Sequence, residues 1–161
     1  MRSGSWAVFL GGRKPVKRWA SWFLGGLREL TYAPAVCPRV YFVEWAEPMI
    51  AGIPWISEII QMAGGDDIFA GRTSKKAEQR VVSGDEIVAA NPQIILASWG
   101  GKPVDIDSIR SREGFSSTDA VQTGQIHELP PEMILQAGPA LVSGLEAIRG
   151  IVQAWEASRK L

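Results

Sequence analysis

The side chains that could perform catalysis are few and scattered along the chain. His127 is the only histidine, and it lies inside a predicted strand without a serine or cysteine in a nucleophile-elbow setting. Cys37 is the only cysteine, and the carboxylates lack the spacing that zinc or iron ligands require. None of the glycine pairs has the spacing of a phosphate-binding loop. The sequence therefore predicts no catalytic residue, no metal site and no cofactor.

Two tryptophans are better placed for a different chemistry, the binding of a flat apolar molecule. Trp45 follows one predicted strand and Trp99 follows another, and in parallel sheets ligands bind beyond the carboxyl ends of the strands. A ring in such a place either packs into the core or offers its face to a ligand, so both interpretations stay open for Trp45, Trp55 and Trp99. The glycine pair that follows Trp99 favours an open loop there.

The elements that must position these rings are alternating strands and helices. Val40–Val43 and Ile94–Ala97 are uninterrupted apolar runs, which predict strands buried on both faces. Gln125–Leu129 predicts a third, short strand that follows a turn. The alternation favours an α/β fold, a single three-layer lobe with a mostly parallel sheet flanked by helices. We expect this lobe to span residues 39–158, after an N-terminal segment of residues 1–38.

Three helices are expected around this sheet. One begins at Pro54 and ends at a glycine pair. The second begins with the capping box Ser-Gly-Asp-Glu at residues 83–86 and ends at Asn91 before a proline. The third runs from Gly138 to near Ser158, and its apolar residues recur every three or four positions along one stripe. The stripe consists of Leu141, Leu145, Ile148, Val152 and Trp155.

Size and composition limit the class of protein. The chain has 161 residues, of which 46% are hydrophobic and 21% charged, as expected for one soluble domain. These values exclude disordered, collagen-like and disulfide-rich classes. The sequence contains no apolar run long enough for a membrane span or a signal peptide. We therefore expect no membrane-spanning segment and no export signal in the sequence as written.

The first 30 residues differ from the rest in charge. They hold six basic residues and one acidic residue, together with several aromatic rings. Such a segment would suit an anionic membrane surface or a nucleic acid, although we favour a simpler interpretation as an imperfect amphipathic helix, with no nucleic-acid partner. The apolar face of this helix would consist of Val16, Trp19, Ala20, Phe23, Leu27 and Leu30.

Several longer segments of the sequence, in a fixed order, carry a resemblance to a known family. The segments are EWAEP at 44–48, AGGDDIF at 63–69, VS at 82–83, NPQII at 91–95, SWGGK at 98–102 and LQAGP at 135–139. Together they resemble the C-terminal lobe of the cobalamin and iron-chelate solute-binding proteins of ABC importers. The resemblance covers about residues 38–155 and is strongest in the cobalamin-binding branch.

The resemblance implies capture of a small molecule rather than catalysis. Members of this family hold cobalamin, haem or a ferric siderophore between two α/β lobes outside the cytoplasm and deliver it to a permease. The family pattern implies ligand contacts from Glu44, Trp45 and Trp99, and from the loop that contains Leu135 and Gln136. The expected partners are thus a small metal complex and the permease of an ABC importer.

The resemblance also implies a docking surface for the permease. Family members present a surface carboxylate on each lobe to basic pockets of the permease, and the capped helix places Asp85 and Glu86 near the matching position. Asp85 is the better candidate, because Glu86 is expected to be engaged in the capping box.

One lobe of the two is represented, which leaves several interpretations open. We expect either a truncated or frame-disrupted product or a natural single-lobe protein, periplasmic or extracytoplasmic by resemblance but cytoplasmic if the product is as written. The alternatives to transport are a fragment of an α/β enzyme, which the scarcity of catalytic side chains disfavours, and a stand-alone interaction domain. A titration with a corrinoid or haem would separate the first interpretation from the other two.

Overall fold

A five-stranded sheet lies at the centre of the fold. In chain order its strands are β1 (Arg39–Trp45), β2 (Ile50–Ala51), β3 (Asp66–Asp67), β4 (Ile94–Ala97) and β5 (Ile126–Glu128). β1 pairs in parallel with β4 on one side and with β3 on the other, and β4 pairs in parallel with β5. Only β2 is antiparallel to its neighbour β1, so the predicted mostly parallel sheet is confirmed. The structure is a computed structural model that describes residues 25, 27, 29–72 and 74–159.

The strand boundaries follow the prediction where the apolar runs are continuous. β4 coincides with the predicted run, whereas β1 extends beyond its predicted run at both ends and β5 is slightly shorter than predicted. β2 was not predicted, because two residues are too short to give a recognisable pattern. It forms because the chain turns back after Trp45 and places Ala51 opposite Val43.

Helices cover both faces of the sheet. They are α1 (Pro54–Met62), α2 (Gly84–Ala90), α3 (Ile106–Arg110), α4 (Asp119–Gln122), α5 (Pro131–Ile134) and α6 (Leu141–Ser158), with 3-10 turns at Ala77–Arg80 and Phe115–Ser117. The three predicted helices are confirmed, and Asn91 ends α2 in the left-handed conformation. The start of the last helix was wrong by three residues, because Gly138 accepts from the amide of Leu141 in a turn that precedes the helix.

Two apolar clusters, one on each face of the sheet, make up the core. The alternation of side chains along β1 places Val40 and Phe42 in one cluster and Tyr41 and Val43 in the other. The first cluster contains the whole predicted stripe of α6, all of it buried. The second contains Ile87 of α2. The prediction of strands buried on both faces is therefore confirmed.

The described residues before β1 pack against the lobe, with helical backbone at Gly25, Leu27 and Glu29 and irregular backbone from Thr31 to Pro38. The amide of Tyr32 donates to the carbonyl oxygen of Met62 at 2.8 Å, and the Tyr32 hydroxyl donates to the carboxylate of Glu156 in α6. Ala35 N–H donates to the same carboxylate at 3.1 Å. Leu27 is buried in the first cluster and Leu30 packs against it. The other positions of the predicted N-terminal helix face, Val16, Trp19, Ala20 and Phe23, lie outside the described residues.

Candidate functional site

The carboxyl ends of β1 and β4 bring Trp45 and Trp99 together. Because Val43 lies opposite Ala97 in the parallel pair, the residues that follow each strand emerge at the same edge of the sheet. The two rings share one neighbour, Lys102, whose Nζ lies 4.5 Å from the centroid of the Trp45 ring and 5.0 Å from that of the Trp99 ring. We call Trp45, Trp99 and Lys102 the rim cluster.

The two rings of the rim cluster differ in exposure. Trp99 is only 3% exposed and belongs to the second core cluster, and its Nε1–H has no hydrogen-bond partner among the described residues. Trp45 is partly exposed, and its Nε1–H donates to the carbonyl oxygen of Glu47 at 3.1 Å. Of the two interpretations left open by the sequence, core packing describes Trp99, whereas Trp45 keeps surface that a ligand can contact.

Trp55 has a structural role away from this pair of rings. Its Nε1–H donates to the carbonyl oxygen of Ile134 at 3.1 Å, and the ring packs against the first core cluster. The side chain thereby connects α1 with α5. This packing favours the core interpretation for Trp55.

Glu44 is held by a buried arginine that the sequence analysis missed. Arg80 is 1% exposed, and its Nη1 and Nη2 lie 2.5 Å from Oε2 and 3.1 Å from Oε1 of Glu44. The same guanidinium donates to the carbonyl oxygen of Ala51, while its Nε has no partner among the described residues. Both oxygens of Glu44 are thus engaged within the lobe, and the charge of Glu44 is compensated.

The predicted loop after α5 lies beside the rim cluster. A Cβ built on Gly100, the residue after Trp99, would lie 4.0 Å from Cδ1 of Leu135, so the two loops adjoin. Leu135 is partly buried against the first core cluster. Gln136 is exposed, and its side chain makes no hydrogen bond to the described part of the chain. The structure therefore places Trp99 and Leu135 in neighbouring loops.

The capped helix has the geometry that its sequence predicts. Glu86 N–H donates to Ser83 Oγ at 3.2 Å, and Ser83 N–H donates back to Glu86 Oε2 at 2.9 Å. The amide of Ser83, and to a smaller extent the Ser83 hydroxyl and Arg72, lower the pKa of Glu86. Arg72 also forms an ion pair with Glu86. Asp85 is exposed and has no ion pair or hydrogen bond among the described residues.

His127 has a structural environment rather than a catalytic one. Its Nε2 lies 2.9 Å from Oε1 of Gln125, and burial lowers the pKa of the imidazole, which favours its neutral form. In the described part of the chain no three His, Cys, Asp or Glu side chains are grouped so that they could hold a metal ion.

A groove of about 460 Å³ lies away from the rim cluster, between α1 and β3. Its lining includes Asp67. Burial raises the pKa of this carboxyl group, and hydrogen bonds from Ser57 and from the amide of Phe69 offset only part of the increase. None of the predicted ligand or docking residues lines this groove.

Lys102 and Arg80 are the two residues of this region that sequence reasoning missed. Lys102 could have been noticed, because it follows Trp99 by three residues and a lysine ammonium is attracted to the face of a tryptophan ring. Nothing in the sequence indicated that Arg80 is buried, because it is the last residue of a strongly charged segment whose other charged side chains are mostly exposed. Its counter-ion, Glu44, is 36 residues away in the chain.

Comparison with known proteins gives one family and several similar folds. Residues 36–133 match the model of the family described as periplasmic binding protein. A curated relative, the uncharacterized ABC transporter substrate-binding lipoprotein YvrC of Bacillus subtilis (strain 168), is 28% identical over 64 residues, which are 40% of this chain and 19% of that protein.

Among solved structures, the fold is similar to the apo periplasmic haem-binding protein RhuT from Roseiflexus sp. RS-1, with a TM-score of 0.72 and 20% identity. The match covers 93% of this chain and 60% of that one. The periplasmic vitamin B12 binding protein BtuF of Vibrio cholerae gives a TM-score of 0.63 and 20% identity, over 86% of this chain and 52% of that one. The chain thus spans little more than half of the similar structures and about a fifth of the curated relative.

Proposed function

The chain belongs to the periplasmic binding protein family, and we propose that it is one lobe of the substrate-binding component of an ABC importer. Membership in a family of binding proteins agrees with the prediction that the chain is not an enzyme. No helix among the described residues is both long and apolar enough to cross a bilayer. We propose that the protein acts in the periplasm or another extracytoplasmic space, as the description of its family implies.

The observation that carries this proposal is the rim cluster at the carboxyl ends of parallel strands. Trp45 offers partly exposed ring surface at the edge of the sheet where ligands bind in α/β folds. The loop that contains Leu135 adjoins the loop after Trp99, so several predicted contacts lie close together. We assign this surface to one wall of a ligand cleft, with Gln136 available for a polar contact and Glu44 acting as support, because Arg80 engages both of its oxygens.

The proposed ligand is cobalamin or a related metal complex such as haem or a ferric siderophore. Motif similarity favours the cobalamin-binding branch. The solved structures of similar fold include a haem-binding and a vitamin B12 binding protein, which supports a flat metal complex as the class of ligand. An indole face at the wall of a cleft provides apolar contact for such a macrocycle.

The proposed second partner is the permease, which Asp85 would contact. The carboxylate of Asp85 is exposed at the first turn of α2 and has no counter-ion among the described residues. Glu86 stabilises the start of the same helix through Ser83. An exposed carboxylate without an internal partner suits a basic pocket on another protein.

A titration of the chain with cyanocobalamin and with zinc protoporphyrin IX tests the capture function. A single lobe provides one wall of the cleft and thus about half of the contacts with the ligand. If the complete two-lobe protein bound its ligand with a dissociation constant of about 1 nM, half of that binding free energy would correspond to a dissociation constant of about 30 µM. We therefore expect saturable binding weaker than about 1 µM to at least one of the two compounds. Trp45→Ala should weaken it, whereas Val36→Ala, which shortens an exposed apolar side chain elsewhere, should not.

Two results would contradict this proposal. One is the absence of saturable binding of either compound up to about 1 mM protein, where even weak complexes form. The other is binding that Trp45→Ala and Val36→Ala leave equally unchanged, since the ligand would then not contact the rim cluster.

A further inference from the structure

Lys102 is an exposed cation held between two aromatic rings. We propose that it selects the charge of the ligand, so that the site prefers a flat metal complex that bears a carboxylate over one with a neutral periphery. This inference rests on the proposed capture function and specifies the class of ligand within it. Of the proposed ligands it favours a carboxylate-bearing complex such as haem over cobalamin, whose peripheral groups are neutral amides.

The Lys102 ammonium group contacts aromatic rings and no counter-ion among the described residues. Its Nζ lies within 5.0 Å of the centroids of both Trp45 and Trp99, a distance at which the ring quadrupoles attract a cation. No described residue forms an ion pair or a hydrogen bond with this ammonium group. Its charge is therefore available to a ligand that arrives at the rim.

No carboxylate of the neighbouring segments forms an ion pair with Lys102. Glu44, next to Trp45, already neutralises Arg80 through both oxygens. Glu128, at the end of β5, accepts a hydrogen bond from the amide of Val104 at 3.0 Å and lies outside ion-pair distance of Lys102. Lys102 thus has no ion-pair partner among the described residues, and its ammonium group can attract an anionic group of a ligand.

A carboxylate on a flat complex matches this arrangement. The macrocycle would pack against the partly exposed ring of Trp45, while a peripheral carboxylate would pair with the Lys102 ammonium beside it. The indole rings exclude water from one side of the ammonium, which makes such a pair stronger than one in open solvent. Peripheral amides or esters could occupy the same place but would gain no charge pairing.

Two ligands that share one macrocycle, one with free carboxylates and one with these groups esterified, test this inference. The free acid of zinc protoporphyrin IX and its dimethyl ester share one macrocycle, and their binding can be followed by porphyrin fluorescence anisotropy with the full chain titrated to about 1 mM. We expect the affinity for the acid to exceed that for the ester by about three- to tenfold. This ratio lies between the contribution of an exposed ion pair and that of a charge-assisted hydrogen bond. Added salt should weaken binding of the acid but not of the ester.

The variant Lys102→Gln should bring the ratio of the two affinities close to one by weakening binding of the acid alone. Lys76→Gln, which removes an exposed lysine from the segment before the Ala77–Arg80 turn, should leave the ratio unchanged. Equal binding of acid and ester by the unmodified chain, or an acid preference that survives Lys102→Gln, would overturn the inference while the capture function stands. Binding of neither porphyrin would overturn the inference, and it would overturn the capture function as well only if cyanocobalamin also fails to bind.

Discussion

The buried guanidinium of Arg80 and the carboxylate of Glu44 are joined by two parallel contacts, of 2.5 Å and 3.1 Å. Because Arg80 also donates to the carbonyl oxygen of Ala51, one side chain connects the end of β1, β2 and the 3-10 turn at Ala77–Arg80. The two partners differ in depth: the side chain of Arg80 is 2% exposed and that of Glu44 is 21% exposed. Removal of one partner therefore has a different cost from removal of the other.

We expect Glu44→Gln to destabilise the lobe more than Arg80→Met does. Arginine stays charged at all accessible pH values, so Glu44→Gln leaves a buried cation without a counter-ion, at a cost of about 3 kcal/mol or more. Arg80→Met removes the cation, fills a similar volume and leaves a carboxylate that can reach water, at a cost of about 1–2 kcal/mol. Chemical denaturation measures both values, and a larger loss for Arg80→Met would contradict this account of the pair.

The capping box at the start of α2 gives a second stability prediction. Ser83→Ala should lower the free energy of unfolding by about 0.5–2 kcal/mol, the usual cost of losing an N-cap. Ser116→Ala, an exposed serine whose hydroxyl makes no hydrogen bond to the described residues, is the matched control and should have little effect. If the denaturation midpoint of Ser83→Ala equals that of the control, the box contributes nothing to stability.

His127 should make the stability of the lobe depend on pH. Burial lowers the pKa of the folded imidazole, so the unfolded chain takes up the proton first as the pH falls below the ordinary histidine value of about 6.5. Stability should therefore decrease from that pH downward until the lowered pKa is reached. His127→Gln should flatten this dependence. An identical pH profile for the variant and the unmodified chain would assign the dependence to other groups.

The rim tryptophans should differ in what they contribute to stability and to binding. Trp99→Ala removes a buried ring and should cost about 3–5 kcal/mol, whereas Trp45→Ala removes a partly exposed ring and should cost clearly less. In a two-lobe form of the protein, we expect both variants to weaken ligand binding. Unfolding curves and ligand titrations of the two variants separate the effects. If both variants bind the ligand with unchanged affinity, the two tryptophans have a purely structural role.

Asp85 should affect permease docking and not ligand binding. In a two-lobe form, Asp85→Arg should weaken the salt-sensitive association with the permease, because an exposed charge acts through steering and complementarity. Ligand affinity should stay the same, since Asp85 lies on α2 and not at the rim cluster. Glu86→Ala, by contrast, should chiefly reduce stability through the capping box. Unaltered transport and association of Asp85→Arg at low salt would exclude the docking role.

Local sequence signals predicted the parts of the fold that local interactions determine. The continuous apolar run of β4 and the capping box at Ser83 depend on residues that are adjacent or three positions apart, so their outcome could be inferred from the chain alone. The convergence of Trp45 and Trp99 also followed, because parallel strands end at one edge of a sheet.

Contacts between distant segments could not be predicted in this way. The burial of Arg80 depends on a carboxylate 36 residues earlier, and no periodicity in the sequence records that pairing. The placement of Lys102 over Trp45 depends on how two loops from different strands approach each other. The short helices α3 to α5 gave no periodic signal, because each is only four or five residues long.

The burial of Trp99 has a consequence for how this protein can diversify. Trp99 belongs to the core and also supports the Lys102 ammonium, so a change at this position alters recognition only at the expense of folding. Trp45 also packs against this core cluster and contacts Lys102, but it is only partly buried, and Lys102 is exposed. Changes at these two positions should therefore cost less stability than a change at Trp99. Variants that acquire a new ligand should therefore accumulate substitutions at positions 45 and 102 while keeping the tryptophan at 99, and a library that randomises only those two positions should retain most of its members in folded form.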